Sequence, residues 1–429
     1  MHVRGWFVAA CIVLQAPVSF AQSAPPDSVR RGGLLDRLQR EDESHFGSDI
    51  TGINRVFRDS VVAALDSLGL EQFQKQSPKR VWRLGLSFDL ATRLWDYNRS
   101  EGFVYGGGLL LEPLGDAGPW LQLQGAHATG SRKFRHYSGV AIPVAPHSYL
   151  SVQARYADGV IPYGANRPTG NSVRALVGAE DPQDYLREQG GGAYVVSRPR
   201  RAVFLCAGYE ASKKTGVPVT TKFALIGNMS PANDPVDEGT ERAVVTGLRL
   251  GRLNSDQWET TLTHRVAGGD LAGDFTYNRT DLNFALRRYL GRQEFVLEGT
   301  WARTGGNVPI QNAADLGGVA MVRGFQRRSQ VGTSAFHARL EYLVPYDFLR
   351  AAGIPILRRA RLQLVPWADA GRTWGGPTHV WIQSAGFGVQ YFMGPFGNAS
   401  FLRLDTAFPM GPDRTQDVRV ELRFAAGFF

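Results

Sequence analysis

The chain contains very little cysteine and very little lysine. Its 429 residues include two cysteines and six lysines. Cys11 lies in an N-terminal segment that we expect to be removed, so Cys206 has no partner for an internal disulfide bond. Arginine supplies most of the positive charge, and the formal net charge is +9. Because the arginines are scattered and not clustered on one face or helix, this charge does not indicate nucleic-acid binding.

Long apolar runs are also missing after residue 21. No later stretch approaches the roughly 18–20 apolar residues of a spanning helix. Together with a mean hydropathy of −0.21, this excludes a helical membrane protein. Catalytic patterns are missing too, since the chain has no HExxH, no GxSxG and no glycine-rich phosphate loop. Its eight histidines form no metal-ligand pattern. We therefore expect no enzymatic activity, no cofactor and no metal site.

The first residues have the features of a secretory signal peptide. Arg4 supplies positive charge, an apolar stretch continues to Leu14, and Ser19–Ala21 forms a small-x-small cleavage site. Residues 1–21 are therefore predicted to be removed, with the mature chain beginning at Gln22. The protein is expected to be exported.

Residues 22–80 differ in pattern from the rest of the chain. Between Ile53 and Leu68, apolar residues recur near helical spacing, and Gly69 is a candidate helix end. We predict a short periplasmic segment with one or two helices. From residue 81 onward the apolar period changes to two, which is typical of strands.

The alternating segments have one charged face and one apolar face. Residues 336–342, 361–371 and 418–424 are the clearest examples. Such strands fit a lipid-facing wall around a polar lumen, or a soluble sandwich whose apolar face packs inward. The barrel is favoured because the segments recur about sixteen times and because aromatic residues fall near segment ends, where an interfacial girdle would place them.

We therefore predict an all-β fold, a sixteen-stranded antiparallel transmembrane β-barrel over residues 81–429. Single-chain outer-membrane barrels have short periplasmic turns and longer outer loops. With the first strand rising from the periplasm, the two longest connections, 159–199 and 305–333, lie outside. The predicted strands are 81–91, 101–112, 117–127, 132–142, 147–158, 200–212, 217–229, 242–252, 256–268, 280–290, 293–304, 334–345, 360–373, 379–392, 399–408 and 416–428.

Two motifs in the second half of the chain occur at a distinctive spacing. Val322-Arg323-Gly324-Phe325 lies in connection 305–333, and five predicted strands follow it. The second of these strands contains Trp367-Ala368-Asp369-Ala370-Gly371. This arrangement resembles the superfamily of the outer-membrane assembly factors BamA and TamA, also called bacterial surface antigens. Trp95–Gly102 is also similar to short-chain members. The resemblance implies a sixteen-stranded barrel whose sixth outer loop folds into the lumen.

The resemblance also implies a specific contact in the lumen. Arg323 would pair with Asp369 of the thirteenth strand and with Glu341 of the twelfth. The alternation of residues independently places both acids on the lumen face. A guanidinium can bind a carboxylate through two parallel hydrogen bonds, which would fix the loop in place. We call Arg323, Asp369 and Glu341 the lumen lock.

In function, the resemblance implies insertion or translocation of proteins at the bacterial outer membrane. The work would be done at the seam between the first and last strands, where an incoming strand could add to unpaired backbone groups. The chain ends in Phe428-Phe429, as barrel-assembly signals prefer. Residues 22–80 are too short for the polypeptide-transport domains of typical members. The alternative is therefore a passive pore or a structural barrel without assembly activity.

The expected partners follow from this interpretation. They are outer-membrane lipids and lipopolysaccharide, together with client outer-membrane proteins and a periplasmic partner. We expect a monomeric barrel that binds no nucleic acid.

Overall fold

The structure is a computed structural model, and it describes thirteen stretches of the chain. The predicted signal peptide 1–21, the predicted segment 22–80 and the terminal Phe428 and Phe429 lie outside the described residues. The described stretches are 82–87, 95–113, 119–144, 149–165, 171–178, 181–200, 202–225, 232–252, 257–291, 293–344, 361–392, 401–410 and 419–425.

The described residues are almost entirely β. Seventeen strands form one large antiparallel sheet, and β13 and β14 form a separate small one. There is one α-helix, α1 (Asn171–Gly178), with short 3-10 turns at Gly269–Leu271 and Ile310–Asn312. The strands are β1 Trp82–Ser87, β2 Trp95–Asn98, β3 Gly102–Pro113, β4 Trp120–Ala128, β5 Phe134–Pro143, β6 Leu150–Tyr163, β7 Asp184–Arg200, β8 Val203–Gly216, β9 Gly239–Arg252, β10 Trp258–Ala267, β11 Thr276–Leu290, β12 Gln293–Asn307, β13 Ala314–Leu316, β14 Gln330–Gly332, β15 Ser334–Leu343, β16 Arg361–Trp374, β17 Ile382–Phe392, β18 Phe401–Met410 and β19 Arg419–Ala425.

Neighbours in the large sheet are neighbours in sequence. Antiparallel pairing runs from β3 to β12, passes to β15, and continues to β19. Both β1 and β2 pair with β3, on successive parts of its length. From Ser87 to Trp95 the chain advances eight residues, while the partners on β3 advance three, from Gly108 to Tyr105. The register against β3 therefore shifts by five residues between β1 and β2.

The two faces of the sheet differ: one carries mostly polar side chains that are buried, and the other carries mostly apolar side chains that are exposed. In β18, Leu402 and Leu404 are 38% and 47% exposed, whereas Arg403 and Asp405 are 4% and 0% exposed. A soluble sandwich would bury the apolar face, so the sandwich alternative is wrong. The pattern is that of a lipid-facing wall around a polar interior. We call the polar face the inner face and the apolar face the outer face.

The predicted connection 159–199 is wrong, because it contains α1 and β7. That predicted connection included Gly190-Gly191-Gly192, and these glycines lie within β7. A Cβ at Gly190 would lie 2.2 Å from the carbonyl oxygen of Ala211 on β8, and a Cβ at Gly191 would lie 2.2 Å from that of Arg155 on β6. The glycines therefore permit close approach of the neighbouring strands. The strand predicted at 200–212 is β8.

The predicted strand 217–229 is also wrong. Residues 217–225, its described part, form no strand. The backbone N–H groups of Thr220 and Thr221 donate to the carbonyl oxygen of Arg99, at 2.9 and 3.1 Å. These two N–H groups therefore bind the turn between β2 and β3 and do not pair with a neighbouring strand. The prediction missed one strand, β7, and added one, 217–229. The two errors cancel, so the later strands run in the predicted directions.

Several connections leave the sheet at the end where β2 turns into β3. Because the strands are antiparallel, 164–183, 217–238 and 308–333 all lie at this end, which we call the cap end. Helix α1 lies against both β2 and β19. The two ends of the sheet therefore approach the same helix, although no residue-by-residue register joins β19 to β1 or β2 in the described stretches. None of the described helices is long and apolar enough to cross a membrane.

Candidate functional site

The connection after β12 folds back over the inner face of the sheet. Leu316, Val322 and Phe325 are buried together, in a cluster that also contains Ala335 of β15 and Ile382 of β17. Among the buried apolar clusters of the described stretches, this is the largest. Burial of these side chains holds the connection against the inner face.

A tight backbone turn presents Arg323 to the wall. The N–H of Met321 donates to the carbonyl of Gly318 at 3.0 Å, and the N–H of Gly318 donates to that of Phe325 at 3.0 Å. Gly324 has φ +84°, and a Cβ there would lie 3.1 Å from Cβ of Ala407 on β18. Glycine suits this position for both reasons.

The structure brings the three residues of the predicted lumen lock together. Arg323 donates to Asp369 through Nε at 2.7 Å and Nη2 at 2.8 Å, which is the two-bonded fork. The backbone N–H of Arg323 also donates to Asp369, at 3.1 Å. Nη1 donates to Glu341 Oε1 at 2.9 Å. Both Arg323 and Asp369 are buried, so the pair is shielded from solvent screening.

The wall around the lock contains further charges that the sequence analysis did not single out. Asp405 of β18 lies 3.5 Å from Nη1 of Arg323. Arg403 donates to Glu341 at 2.9 and 3.0 Å and to Asp405 at 2.8 Å. Their alternation in the predicted strand 399–408 was the available indication. It places both residues on the polar face, but not beside the loop.

One more arginine joins the opposite side of the lock. Arg339 of β15 donates to Asp369 at 3.0 Å and to the carbonyl of Met321 at 2.8 Å. Three arginines thus surround three carboxylates, and each carboxylate contacts at least two guanidinium groups. Burial alone would lower the pKa of Arg323, but Asp369 and Glu341 oppose this and hold its pKa above the ordinary value.

The strand motif supports the lock from behind. The guanidinium carbon of Arg323 lies 3.6 Å from the ring centroid of Trp367, a stacked cation–π contact. At Gly371, a Cβ would lie 3.0 Å from a methyl of Leu316 and 3.1 Å from one of Val322. Trp367, Asp369 and Gly371 therefore supply a stacking surface, a charge partner and space for the loop.

A second buried arginine, Arg99, organises the cap end. Arg99 lies in the turn between β2 and β3 and is 0% exposed. Its backbone N–H donates to the carboxylate of Asp181 at 3.0 Å, and its Nη1 donates to the carbonyl of the same residue. Its Nη2 donates to Asp184 and to Asn233, both at 3.0 Å. Three connections therefore converge on one side chain.

The same cluster extends to the connection that carries the lumen lock. Arg327 donates to Asp184 at 2.6 Å. We call Arg99, Asp181, Asp184, Asn233 and Arg327 the cap network. The Trp95–Gly102 motif marked the turn but gave Arg99 no role. Asp181 and Asp184 lie in the predicted connection 159–199, and Asn233 lies between the predicted strands 217–229 and 242–252, so no alternation placed these partners of Arg99.

The turn itself is stabilised from within. Asn98 accepts hydrogen bonds from the N–H groups of Ser100 and Glu101, at 3.0 and 2.9 Å. Glu101 in turn pairs with Arg135 of β5, whose Nε lies 2.9 Å from Oε1. Asn98, Ser100 and Glu101 are all buried. No group of three or more His, Cys, Asp or Glu side chains that could hold a metal ion occurs in the described stretches.

Comparison with known proteins gives structural matches only. No protein-family model matches the sequence, and no curated protein matches it. BamA from Haemophilus ducreyi lacking POTRA domains 1-3 is similar at a TM-score of 0.55 and 14% identity, over 82% of this chain and 70% of that chain. CdiB from Acinetobacter baumannii is similar at a TM-score of 0.42 and 12% identity, over 82% of this chain and 60% of that chain. Pseudomonas aeruginosa OccK10 (OpdN) is similar at a TM-score of 0.34 and 14% identity, over 81% of this chain and 96% of that chain.

The match to BamA shows the fold alone. This chain has the fold of a BamA-like outer-membrane β-barrel. At 14% identity the likeness carries no activity across. The fold and the apolar outer face both suggest an outer-membrane location.

Proposed function

We propose that this chain belongs to the BamA/TamA superfamily and takes part in inserting or translocating proteins at the bacterial outer membrane. The observation that carries the proposal is the contact of Arg323 with both Asp369 and Glu341. The superfamily resemblance implies a contact among these three residues. The distances from Arg323 to Asp369, 2.7 Å, and to Glu341, 2.9 Å, support the proposal. A chance VRGF tetrapeptide on an unrelated barrel would have no reason to meet both acids.

The strand arrangement supports the same proposal. If β1 and β2 count as two parts of one interrupted strand, the pairing from there to β19 passes through sixteen positions. That is the number expected for the superfamily. The cap end then faces the cell exterior, because the first strand rises from the periplasm.

The interrupted first strand fits an assembly role. A first strand whose register against β3 shifts by five residues between Ser87 and Trp95 is a weaker edge than one paired in a single register. An edge strand with unpaired backbone groups can accept an incoming strand by β-augmentation. The proposed partners are client outer-membrane proteins at this edge, lipids and lipopolysaccharide around the apolar outer face, and a periplasmic partner. The proposed working unit is a monomer.

The alternative is a barrel without assembly activity, and the cap network bears on it. Arg99 joins the turn after β2 to Asp181 and Asn233 of two other connections and to Asp184 at the start of β7. These contacts require no assembly activity, so a passive pore or a structural barrel is the second candidate.

Depletion of the protein, followed by a census of the outer-membrane proteome, tests the proposal. We expect several other barrels to decrease, and to recover when the wild-type chain is restored but not when the Arg323→Ala variant is. A chain with an Ala substitution at exposed Lys213 serves as the matched control and should restore them fully. Unchanged levels of all other barrels after depletion would contradict an assembly role and favour the structural barrel.

A further inference from the structure

The strand β2 presents two different faces at the cap end. Asp96 is opposite Val104, which is buried on the inner face, and Tyr97 is opposite Phe103, which is exposed on the outer face. Directly opposed residues of an antiparallel pair share a face. Asp96 therefore points inward and Tyr97 outward. Nevertheless Tyr97 is only 3% exposed, so something covers it from the outer side.

Helix α1 meets both of these side chains. Ser172 donates its hydroxyl to the carboxylate of Asp96, and Ala175 packs against Tyr97. Ser172 and Ala175 are three residues apart and so lie on one side of the helix. Contacts with side chains from both faces of β2 place α1 at the edge or the end of that strand, and its contact with β19 assigns it to the edge that faces the last strand. The edge in question is the one that β3 does not use.

The other side of this edge belongs to the last strand. Helix α1 lies alongside β19 as well as β2. In the described stretches, no register joins β19 directly to β1 or β2. At the cap end, α1 therefore occupies the gap between the first and last strands of the sheet, which we call the seam.

Contacts from the cap network hold α1 in this place. Asn171 donates to the carboxylate of Asp181 and to the hydroxyl of Tyr185, both at 2.9 Å. Asp181 also accepts from Arg99. At the other end of the helix, the N–H of Leu225 donates to the carbonyl of Leu176 at 2.7 Å. An isolated helix of eight residues is unstable in water, so α1 depends on these contacts.

We propose that α1 is a removable stopper of the seam, and that the cap network keeps it in place. While α1 lies on the edge of β2, no further strand can pair with that edge at the cap end. Loss of the Asp181 and Tyr97 contacts frees the edge. The role of the stopper in admitting a client strand rests on the proposed function, whereas its position in the seam does not.

Distance measurements across the seam test the position of the stopper. In a Cys206→Ala background, spin labels are attached at Tyr105 of β3 and Phe408 of β18, which are both exposed on the outer face. Ala175→Glu places a charged side chain where Ala175 is 0% exposed against Tyr97. We expect the 105–408 distance to lengthen by about 5 Å, one strand spacing, or its distribution to broaden by that amount.

Three controls make the result specific. Labels at Val195 and Val244, on β7 and β9, should report no change. Ala175→Ser adds only a hydroxyl and should leave the seam distance as in the wild type. Asn171→Ala removes a tether without adding bulk and should shift the distance in the same direction as Ala175→Glu, by less. It also carries the test if Ala175→Glu does not fold, as judged by heat-modifiable mobility on a gel.

The outcomes separate cleanly. An unchanged seam distance in the folded Ala175→Glu or Asn171→Ala variants would overturn the proposal. An equal shift in the 195–244 control would overturn it too, because α1 would then support the whole sheet and not the seam. A shift confined to the seam supports it.

A peptide probe then links the stopper to the proposed function. A synthetic peptide with the sequence of residues 416–428 and a photo-crosslinker should label the Ala175→Glu variant at least about tenfold more than the wild type. A tenfold difference corresponds to about 1.4 kcal/mol in the free energy of peptide binding. Labelling equal to the wild type, in a variant whose seam has opened, would leave the stopper standing and count against strand addition and hence against the proposed function.

Discussion

Two arginines are fully buried in the described stretches, Arg99 and Arg323, and they are held in different ways. Arg323 contacts carboxylates on β15, β16 and β18, which are strands of one ladder. Arg99 contacts a carbonyl, an amide and a carboxylate at or near the ends of connections. The positions of the first set are fixed by sheet register. Those of the second set depend on the connections packing together. The lumen lock is therefore expected to be the more rigid and the more costly to break.

The largest effect should follow from Arg323→Ala. Removing one partner of a buried pair typically costs about 3–5 kcal/mol, because a charge is left unpaired. Here Asp369 keeps Arg339 and Glu341 keeps Arg403, so the lower end of that range is expected. Residues 305–333 should be cleaved faster by protease, while heat-modifiable gel mobility shows that the barrel remains folded.

The control for this variant is Arg323→Lys. An ammonium keeps the charge but cannot form the planar fork to Asp369 or stack as well on Trp367. It should restore only part of the protection. Protection equal to the wild type in Arg323→Ala would mean that the lock contributes nothing to holding the loop.

Arg99→Ala should have the next largest effect, in a different region. Asp184 retains Arg327, and Asn233 retains hydrogen bonds to Ser100 and to the carbonyl of Val217. The variant therefore loses hydrogen bonds to a charged group. Each contributes about 1.5–3 kcal/mol to folding stability before the remaining partners compensate. Hydrogen exchange should accelerate in 171–178 and 217–225 but not in 317–325. Equal acceleration in both regions would show that the lock and the cap are one unit.

The same contrast explains what could be predicted from the sequence. Strand alternation predicted that Asp369 and Glu341 lie on the polar face, because the residues of a strand alternate between its two faces. The resemblance carried by the two motifs then named Arg323 as their partner. The sequence analysis did not single out Arg403 and Asp405, since alternation does not say which strands a loop will cross. The barrel fold followed from the same period-two pattern.

The cap and the seam were beyond this reasoning. The contacts of Arg99 depend on where β7 begins and on the path of residues 217–225, and both were assigned wrongly. Gly190–Gly192 indicated a loop because glycine is depleted in strands, yet close approach of β6 and β8 requires it. Helix α1 lay within a predicted loop. Close backbone contacts of this kind leave no periodic pattern of apolar and polar residues, so periodicity could not predict them.

A smaller effect is expected from Arg327→Ala, which removes the contact between the two regions. Its side chain is 15% exposed, and it contacts Asp184 at 2.6 Å. For a partly exposed pair we expect about 1 kcal/mol. Combined with Arg323→Ala, its effect on proteolysis of 305–333 should be additive within about 0.5 kcal/mol, as for independent sites. A larger coupling would show that the cap network transmits the state of the lumen lock.

The smallest effect is expected from Trp367→Phe, and its sign separates stacking from hydrogen bonding. The indole Nε1 of Trp367 is buried and has no hydrogen-bond partner in the described structure, so its removal relieves a small penalty. Phenylalanine keeps an aromatic face for Arg323 but binds a cation less well than tryptophan, a difference within about 1 kcal/mol. These contributions oppose each other. Protease protection of 305–333 should therefore change less than in Arg327→Ala, whereas Trp367→Leu, which removes the aromatic face entirely, should reduce it measurably. If Trp367→Phe and Trp367→Leu lose protection equally, the ring acts by volume alone, and the lock is held by its carboxylates without help from the aromatic face.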